Sequence, residues 1–496
     1  MRDGWFVVLP LRSRYIFRAL WGLCLMQPLA GCFLGTEHPD LALAIPAAYR
    51  DGGDASRAAM PKADWWRSFR SRELTNLMEE AQTANLDIAA AIARIVQADA
   101  QARVAGAALL PAIDFGASAN RTRASRATGT TLSGAGVQGG GPSVRNLFAT
   151  TFTASYELDF WGKNRALVRA AEETAAAARF DREVVALSTM AAVANGYFQV
   201  LSAQDRLRYA RDNVASANRI LEVVKQRLAV GTASDLDLAQ QQSIVDTQRA
   251  NIPTLEQIVK QQTAALAVLI ARAPEFVRIH GGSSFSVAIP RISTGLPSEL
   301  LTRRPDIREA EANLAAANAN VESARAAFFP SIQLTAQGGW QAAALKFLSR
   351  PEASAWEIAA NLTQPIFDGG TLQGQLDQQK GRQDELLQNY RKAIVQSFAD
   401  VDSALVGVQQ NAIRERLENA VVASSRRAFQ LSEQRLREGT IDLTTVLTAQ
   451  QTLFQAQDTL AQVRLARLQA LISLFQALGG GWVADAPAHD KQAARQ

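Results

Sequence analysis

Residues able to do covalent chemistry are sparse in this chain, and their spacing excludes most catalytic arrangements. The 496 residues include three histidines, His38, His280 and His489, and two cysteines, Cys24 and Cys32. The histidines lie far apart in segments that read as tails or linker, so local spacing brings none of them into a zinc set, a nucleophilic triad or an acid–base pair. Gly134, Gly136 and Gly139 make a formal G-x-G-x-x-G. A dinucleotide fingerprint must follow a strand and open a helix, whereas this one runs into Gly140, Gly141 and Pro142 within a Gly-, Ser- and Thr-rich loop at 121–146. The sequence is therefore read as non-enzymatic, with no catalytic residue and no metal site.

Cys32 is the exception. Arg2, Arg12, Arg14 and Arg18 precede an apolar stretch, ALWGLCLM, which is followed by Gln27, Pro28 and the tetrapeptide Leu29-Ala30-Gly31-Cys32. That is the layout of a secretory signal with small residues at its cleavage site. LAGC resembles the lipobox of bacterial lipoproteins, which implies cleavage before Cys32, a diacylglycerol thioether on its sulfur and acylation of the new amino terminus. Two or more acyl chains anchor stably, since each buried methylene contributes about 0.8 kcal/mol. Phe33 rather than an aspartate follows the cysteine, and the usual sorting of such lipoproteins then favours the outer membrane. This covalent lipid is the only prosthetic group expected. Cleavage removes four arginines, Asp3 and Cys24, lowering the net charge from +5 to +2. One lipidated cysteine cannot form a disulfide within the chain, and the interleaved charges read as solvated helix faces rather than a nucleic-acid stripe.

The elements that must position these residues are written twice. Asp87-Ile88 lies 24 positions before Pro111, and Asp306-Ile307 lies 24 before Pro330, a shift of 219 without gaps. Phe160-Trp161-Gly162 matches Phe367-Asp368-Gly369 at a shift of 207, and Gly231-Thr232 matches Gly439-Thr440 at 208. The change falls between paired strands, where the first copy has the longer loop. Composition, 48% hydrophobic and 20% charged, is that of folded protein. No run of 18 or more apolar residues predicts a helical membrane span.

Four segments alternate with period two. Phe148, Thr150, Phe152, Ala154, Tyr156, Leu158 and Phe160 oppose Ala149, Thr151, Thr153, Ser155, Glu157 and Asp159. Ile113, Phe115 and Ala117, then Ile332, Leu334 and Ala336, then Trp356, Ile358, Ala360 and Leu362 repeat the pattern. Each is long enough to cross a bilayer as a tilted strand, but four strands cannot close a membrane barrel, and open edges in lipid are costly. Such a barrel must be shared between chains, and three copies would supply twelve strands.

Two helices are predicted to be far longer than a compact domain needs. From about Lys163 to Val230 an apolar stripe runs through Phe180, Val184, Leu187, Ala191, Ala194, Phe198 and Leu201, answered in the second copy by Leu387, Ile394, Phe398, Val401, Leu405 and Val408. About 65 residues of helix would reach roughly 100 Å. Gly231 and Gly439 sit where a helix end needs left-handed backbone, with Thr232, Ser234 or Asp442 close to the next helix start. The returning helices are expected at about Asp235–Arg272, with Pro253 placed to kink it, and Asp442–Leu478.

These residues resemble the outer-membrane efflux proteins of the TolC and OprM kind, in the lipoprotein branch that serves resistance-nodulation-division pumps. The resemblance rests on Trp65-Trp66 with Phe69, on LPSELLTRRPDIREAEANLAAANANVESARAAFFPSIQLT from Leu296 to Thr335, on the Gly-Thr turns, and on the run from Ala449 to Gln457. It covers nearly all of the chain after Cys32. It implies a mostly α fold with membrane β: a homotrimer with a shared twelve-stranded barrel, a twelve-helix periplasmic tunnel and an equatorial belt. The expected organisation is a signal at 1–31, an anchored segment at 32–64, repeats at 65–272 and 301–478 joined by a belt linker at 273–300, and a tail at 479–496. The implied role is the exit duct of a tripartite pump, docked to a periplasmic adaptor and an inner-membrane transporter, with no nucleic acid partner. A duct for type I protein secretion or for metal efflux shares the fold; a porin would be mostly strand, and a periplasmic scaffold would lack amphipathic strands.

By the same resemblance the hairpin tips receive the adaptor, a role carried to Val230, Gly231, Thr232, Asp235, Leu236, Asp237, Leu238, Gly439, Thr440, Leu443 and Val446. Relatives commonly carry aspartates on the second returning helix that narrow the closed tunnel and favour cations. The matching positions here are Thr445 and Thr448, while the first copy keeps Asp235 and Asp237, so weaker closed-state cation selectivity is expected.

Overall fold

A computed structural model describes residues 43, 46, 49, 62–123, 144–292 and 297–482. Cys32, the signal segment and most of the 121–146 loop lie outside the described residues. The chain divides into two compact units.

One unit, within Arg103–Ala170 and Ala317–Gln383, holds the strands. They are β1 (Ala112–Arg123), β2 (Val144–Leu158), β3 (Ser331–Ala342) and β4 (Ser354–Thr363). They form one antiparallel sheet in chain order. Phe115 pairs with Phe152, Phe152 with Gly338, and Gly338 with Trp356, so the predicted apolar residues of all four strands share one face. That face is uncovered: Ile113, Phe115, Phe152, Trp356, Ile358 and Leu362 are all more than half exposed. At Gly339 the strands approach so closely that an added Cβ would overlap the Thr150 carbonyl oxygen, so only glycine permits the β2–β3 spacing. Near the helix-proximal strand ends, the Trp161 indole N–H donates to the Pro330 carbonyl at 2.8 Å and its ring stacks on Phe329 at 4.8 Å.

The other unit, within Leu41–Ala102, Ala171–Ala316 and Asp384–Gln496, is helical. The α-helices among the described residues are α1 (Arg72–Ala84), α2 (Leu86–Ala107), α3 (Lys163–Ala229), α4 (Asp235–Leu269), α5 (Pro297–Arg303), α6 (Pro305–Ala326), α7 (Thr371–Arg437) and α8 (Leu443–Ala477). α3 and α7 are 67 residues each, and α4 and α8 are 35 each. Such equal lengths argue for duplication independently of residue identity. α4 continues through Pro253 as one helix. The sequence offers no run of purely apolar residues, yet a window in α3 reaches mean hydropathy 1.5, enough by length and composition for a membrane span. More than half of that window, 56%, is buried inside the protein, where Ala191, Val193, Ala194, Tyr197, Phe198 and Leu201 join the principal core with Trp65, Trp66, Phe69 and Phe475. Trp65 stacks on Phe475 at 4.8 Å and Phe69 tilts against Phe198 at 5.1 Å, which explains the aromatic cluster near residue 65.

The linker at 273–292 is fixed to this core by polar contacts. The buried Asp205 carboxylate accepts the Ser284 amide at 2.8 Å and its hydroxyl at 2.6 Å. Arg464, itself buried, donates to the Ser284 and Val287 carbonyls at 3.0 and 2.6 Å and to Glu415 at 3.0 Å, and Glu415 also receives Arg467 at 2.8 Å. Glu73 accepts the His280 and Gly281 amides at 2.9 and 3.1 Å and the Tyr197 hydroxyl at 3.2 Å. Burial, opposed by the Ser71 hydrogen bond and reinforced by Glu73, pushes the Tyr197 phenol up to about 12. Buried charges persist only when paired in this way.

Candidate functional site

The two helix reversals, 208 positions apart, use the same hydrogen bonds. At the first, α3 ends at Ala229 and Gly231 takes φ +75°. The Gly231 N–H donates to Leu228 at 3.0 Å and the Thr232 N–H to Arg227 at 2.8 Å. At the second, Gly439 takes φ +72°, and its N–H and that of Thr440 donate to Leu436 and Arg435, both at 3.0 Å. This paired closure is the Schellman ending, which requires a left-handed residue that glycine supplies at least strain. Each threonine hydroxyl donates to the same carbonyl as its amide, at 3.1 and 3.2 Å.

The helices that return from the tips start on a hydroxyl and a carboxylate whose places are exchanged between copies. In the first, Ser234 Oγ accepts the Asp237 amide at 3.2 Å, and the Asp237 carboxylate accepts the Ser234 N–H and hydroxyl, both at 2.8 Å. In the second, the Asp442 carboxylate accepts the Thr445 hydroxyl at 2.7 Å and its amide at 2.8 Å. Both arrangements satisfy orphan amides and put a carboxylate at the positive end of a helix dipole. The Thr445 hydroxyl and amide hold the Asp442 carboxyl below the usual carboxylate range. The acid of the second tip, Asp442, is thus engaged as a cap three residues before Thr445, and Thr445 spends its hydroxyl on that cap. Thr448 is exposed, and its Oγ1 donates to the Thr444 carbonyl at 3.0 Å.

The two tips lie side by side. Arg227 Nη1 donates to the Leu436 carbonyl at 2.9 Å. Between the hairpins runs an apolar cluster containing Ile220, Val224, Val245, Phe429, Leu436, Leu443 and Val446, with Leu238 and Ile441 packed against it. Leu443 and Val446 are 6% and 0% exposed, so the docking surface expected at these two residues is corrected: they glue one hairpin to the other from inside. Leu238 is half-buried on the same seam. At the surface the copies differ. Val230 and Leu236 are 74% and 65% exposed, whereas the positions 208 further on are Glu438 and Thr444. Asp235 is also exposed. The first tip thus presents an apolar pair beside an acid, and the second presents polar groups. Further along the same helices, a cleft of about 500 Å³ between α3, α4 and α8 is lined by Tyr209, Asn213, Thr247 and Gln455 and by Arg206 and Asp458, which are joined in a bidentate pair at 2.6 and 3.2 Å.

A second duplicated contact holds each hairpin's far end. Asn85 Oδ1 caps α2 by accepting the Asp87 and Ile88 amides at 2.9 and 3.0 Å, while its Nδ2 donates to the Leu269 carbonyl at 2.7 Å. Adding 219 to 85 gives Arg304, and adding 208 to 269 gives Ala477. Arg304 Nη1 donates to the Ala477 carbonyl at 3.4 Å, and the guanidinium pairs with Asp306 at 2.6 Å and Asp400 at 3.0 Å. Burial acts to lower the Arg304 pKa, but the Asp306 and Asp400 carboxylates outweigh it and raise it. The offsets alone could have paired these positions. The charge on one side of the equivalence concealed it.

The two tips offer an exposed apolar pair and capped helix ends, features that suit association. The family model described as "Outer membrane efflux protein" matches residues 77–272 and 296–480. The chain is 39% identical over 469 residues to the pyoverdine export outer membrane protein OpmQ of Pseudomonas aeruginosa, covering 94% of this chain and 97% of that one. It is 33% identical to the toluene efflux pump outer membrane protein TtgF of Pseudomonas putida, covering 93% and 96%. In fold it is similar to the Campylobacter jejuni CmeC outer membrane channel, with a TM-score of 0.82, 24% identity, and 93% and 98% of the chains covered.

Proposed function

Since this chain belongs to the outer membrane efflux protein family, we propose that it works as a homotrimeric exit duct, docked through its hairpin tips to a periplasmic adaptor and served by an inner-membrane resistance-nodulation-division transporter. As a member of that family it is an outer-membrane efflux channel. The observation that carries the finer reading is the sheet of four strands in chain order, apolar on one face, with β1 and β4 each free on one edge. Free edges beside an apolar face call for further strands from identical chains, because unpaired backbone in lipid costs several kcal/mol per group. Three copies give twelve strands, a size at which barrels enclose a lumen. Cargo would be small molecules of the kinds named for the relatives, pyoverdine or toluene.

Anchoring through a lipid on Cys32 belongs to the same proposal. Outer-membrane fractionation with trimer-sized migration tests the assembly, and a soluble periplasmic monomer would end it. Palmitate labelling that persists in Cys32→Ala would remove the anchor while leaving the duct.

A further inference from the structure

Charge is distributed unequally between the two ends of the sheet. Where β2 meets α3, charged groups are paired: Lys163 with Glu157 at 2.6 Å and Arg165 with Asp159 at 3.3 Å. The other end carries the turn between β3 and β4, the last residues of β1 and the first residues of β2. There Arg121, Arg123, Lys346 and Arg350 are exposed, and no described carboxylate pairs with any of them; Glu352 is the lone acid in that turn. Alternation puts Arg121 and Arg123 on the same face of β1 as Ile113 and Phe115. That face therefore passes from apolar side chains directly to two guanidinium groups. Across the sheet, Trp340 and Trp356 share the face, at 45% and 79% exposure. Indoles at the edge of an apolar band mark a membrane–water interface.

The basic turn is preshaped. Phe347, Leu348, Arg350 and Ala353 amides each close a tight turn on the carbonyl three residues earlier, at 3.0 to 3.2 Å. Two cations contact the Phe347 ring, with Lys346 Nζ 4.9 Å and Arg350 Cζ 4.3 Å from its centroid, so both side chains share one aromatic support. From β1 to β3 is two strand spacings, about 10 Å, wider than one phosphate and within the reach of a sugar-phosphate headgroup.

We propose that Arg121, Arg123, Lys346 and Arg350 form a seat for the phosphate groups of phosphorylated glycolipid in the outer leaflet, fixing the height of the sheet in the bilayer. This rests on the reading of the apolar face as lipid-facing. Guanidinium groups bind phosphate oxygens in pairs, ammonium groups bind them as point charges, and a bilayer of anionic headgroups matches a rim with almost no acid.

The test uses full-length lipidated protein purified from outer membranes, stripped of lipid and offered bisphosphorylated lipid A, monophosphoryl lipid A or phosphatidylethanolamine, with retention read by native mass spectrometry. Retention should fall in that order. Substituting all four cations by glutamine should lower retention of the bisphosphorylated lipid several-fold, and exchanging Arg with Lys should largely keep it. Equal retention of all three lipids by the wild type would overturn the inference, as would full retention by the glutamine variant or displacement by inorganic phosphate at equal concentration. Conductance of the wild type in planar bilayers is measured in parallel. A protein that conducts without headgroup preference defeats the seat alone, and one that never inserts defeats the lipid-facing reading beneath it.

Discussion

Position 304 shows how one residue can carry different chemistry in two copies of a fold. Asn85 does its work with an uncharged amide; Arg304 reaches the equivalent carbonyl with a cation held by Asp306 and Asp400. Removing a partner from a buried ion pair costs about 3–5 kcal/mol, and because both aspartates here are about one-third exposed, solvent screening cuts that to about 2 kcal/mol. Arg304→Ala should therefore destabilise the trimer by this amount, measured as a lowered denaturation midpoint, whereas Asn85→Ala should cost nearer ~1 kcal/mol, as the loss of a cap does. Asp442 supports a pH prediction. Its folded pKa is depressed, so its contribution is present above the unfolded carboxylate pKa and is lost as pH falls through the folded value. Acidification should fray the second tip, read as faster amide exchange at Thr445, and Asp442→Asn should make exchange there insensitive to acid. Unchanged exchange in the wild type would mean that the cap does not hold the tip.

At the scale of elements, the hairpin tips separate holding from presenting. Leu443 and Val446 close the seam, while Val230 and Leu236 lie on the surface. If an adaptor recognises the tips, the exposed apolar pair is where affinity concentrates, since buried apolar anchors dominate interfaces. Leu236→Glu should weaken adaptor capture at least tenfold, about 1.4 kcal/mol, with trimer migration and thermal stability unchanged. Val446→Ala should do the opposite, lowering stability by about 1–3 kcal/mol through a core void. A Leu236→Glu protein that captures adaptor normally would move recognition elsewhere. The elements themselves were legible in the residues: the ends of α3, α4 and α8 fall within a few positions of where caps and glycines place them, and the period-two segments became the four strands. What stayed hidden was which side of a returning helix faces its neighbour. The resemblance assigned docking to the tips as a whole, and Thr-, Gln- and Ala-rich helices give too weak a periodicity to separate Leu443 and Val446, in the seam, from residues at the surface. The exchange of Ser234 and Asp237 for Asp442 and Thr445 was equally hidden, because a cap is defined by who donates to whom rather than by composition.

For the whole molecule, the duplication sets an approximate symmetry and the tips break it. In the proposed trimer, two copies per chain would place six near-equivalent hairpins around one axis, so any charge on a tip would act as a ring of three. The first copy contributes Asp235 and Asp237, with Asp237 committed to its cap; the second contributes Asp442, committed likewise, and an exposed Thr448. Only Asp235 among these acids has no cap to hold. A threefold ring of carboxylates focuses a negative potential in a narrow opening, while hydroxyls turned to their own backbone, as Thr448 is toward Thr444, offer weak dipoles. Thr448→Asp should therefore raise closed-state cation selectivity, seen as a shift in reversal potential under a salt gradient in planar bilayers. The shift should shrink as ionic strength rises, because the screening length falls to about 3 Å at 1 M. Selectivity that does not move with this substitution would place Thr448 away from the conducting path and leave the Asp235 ring as the charge that the opening feels.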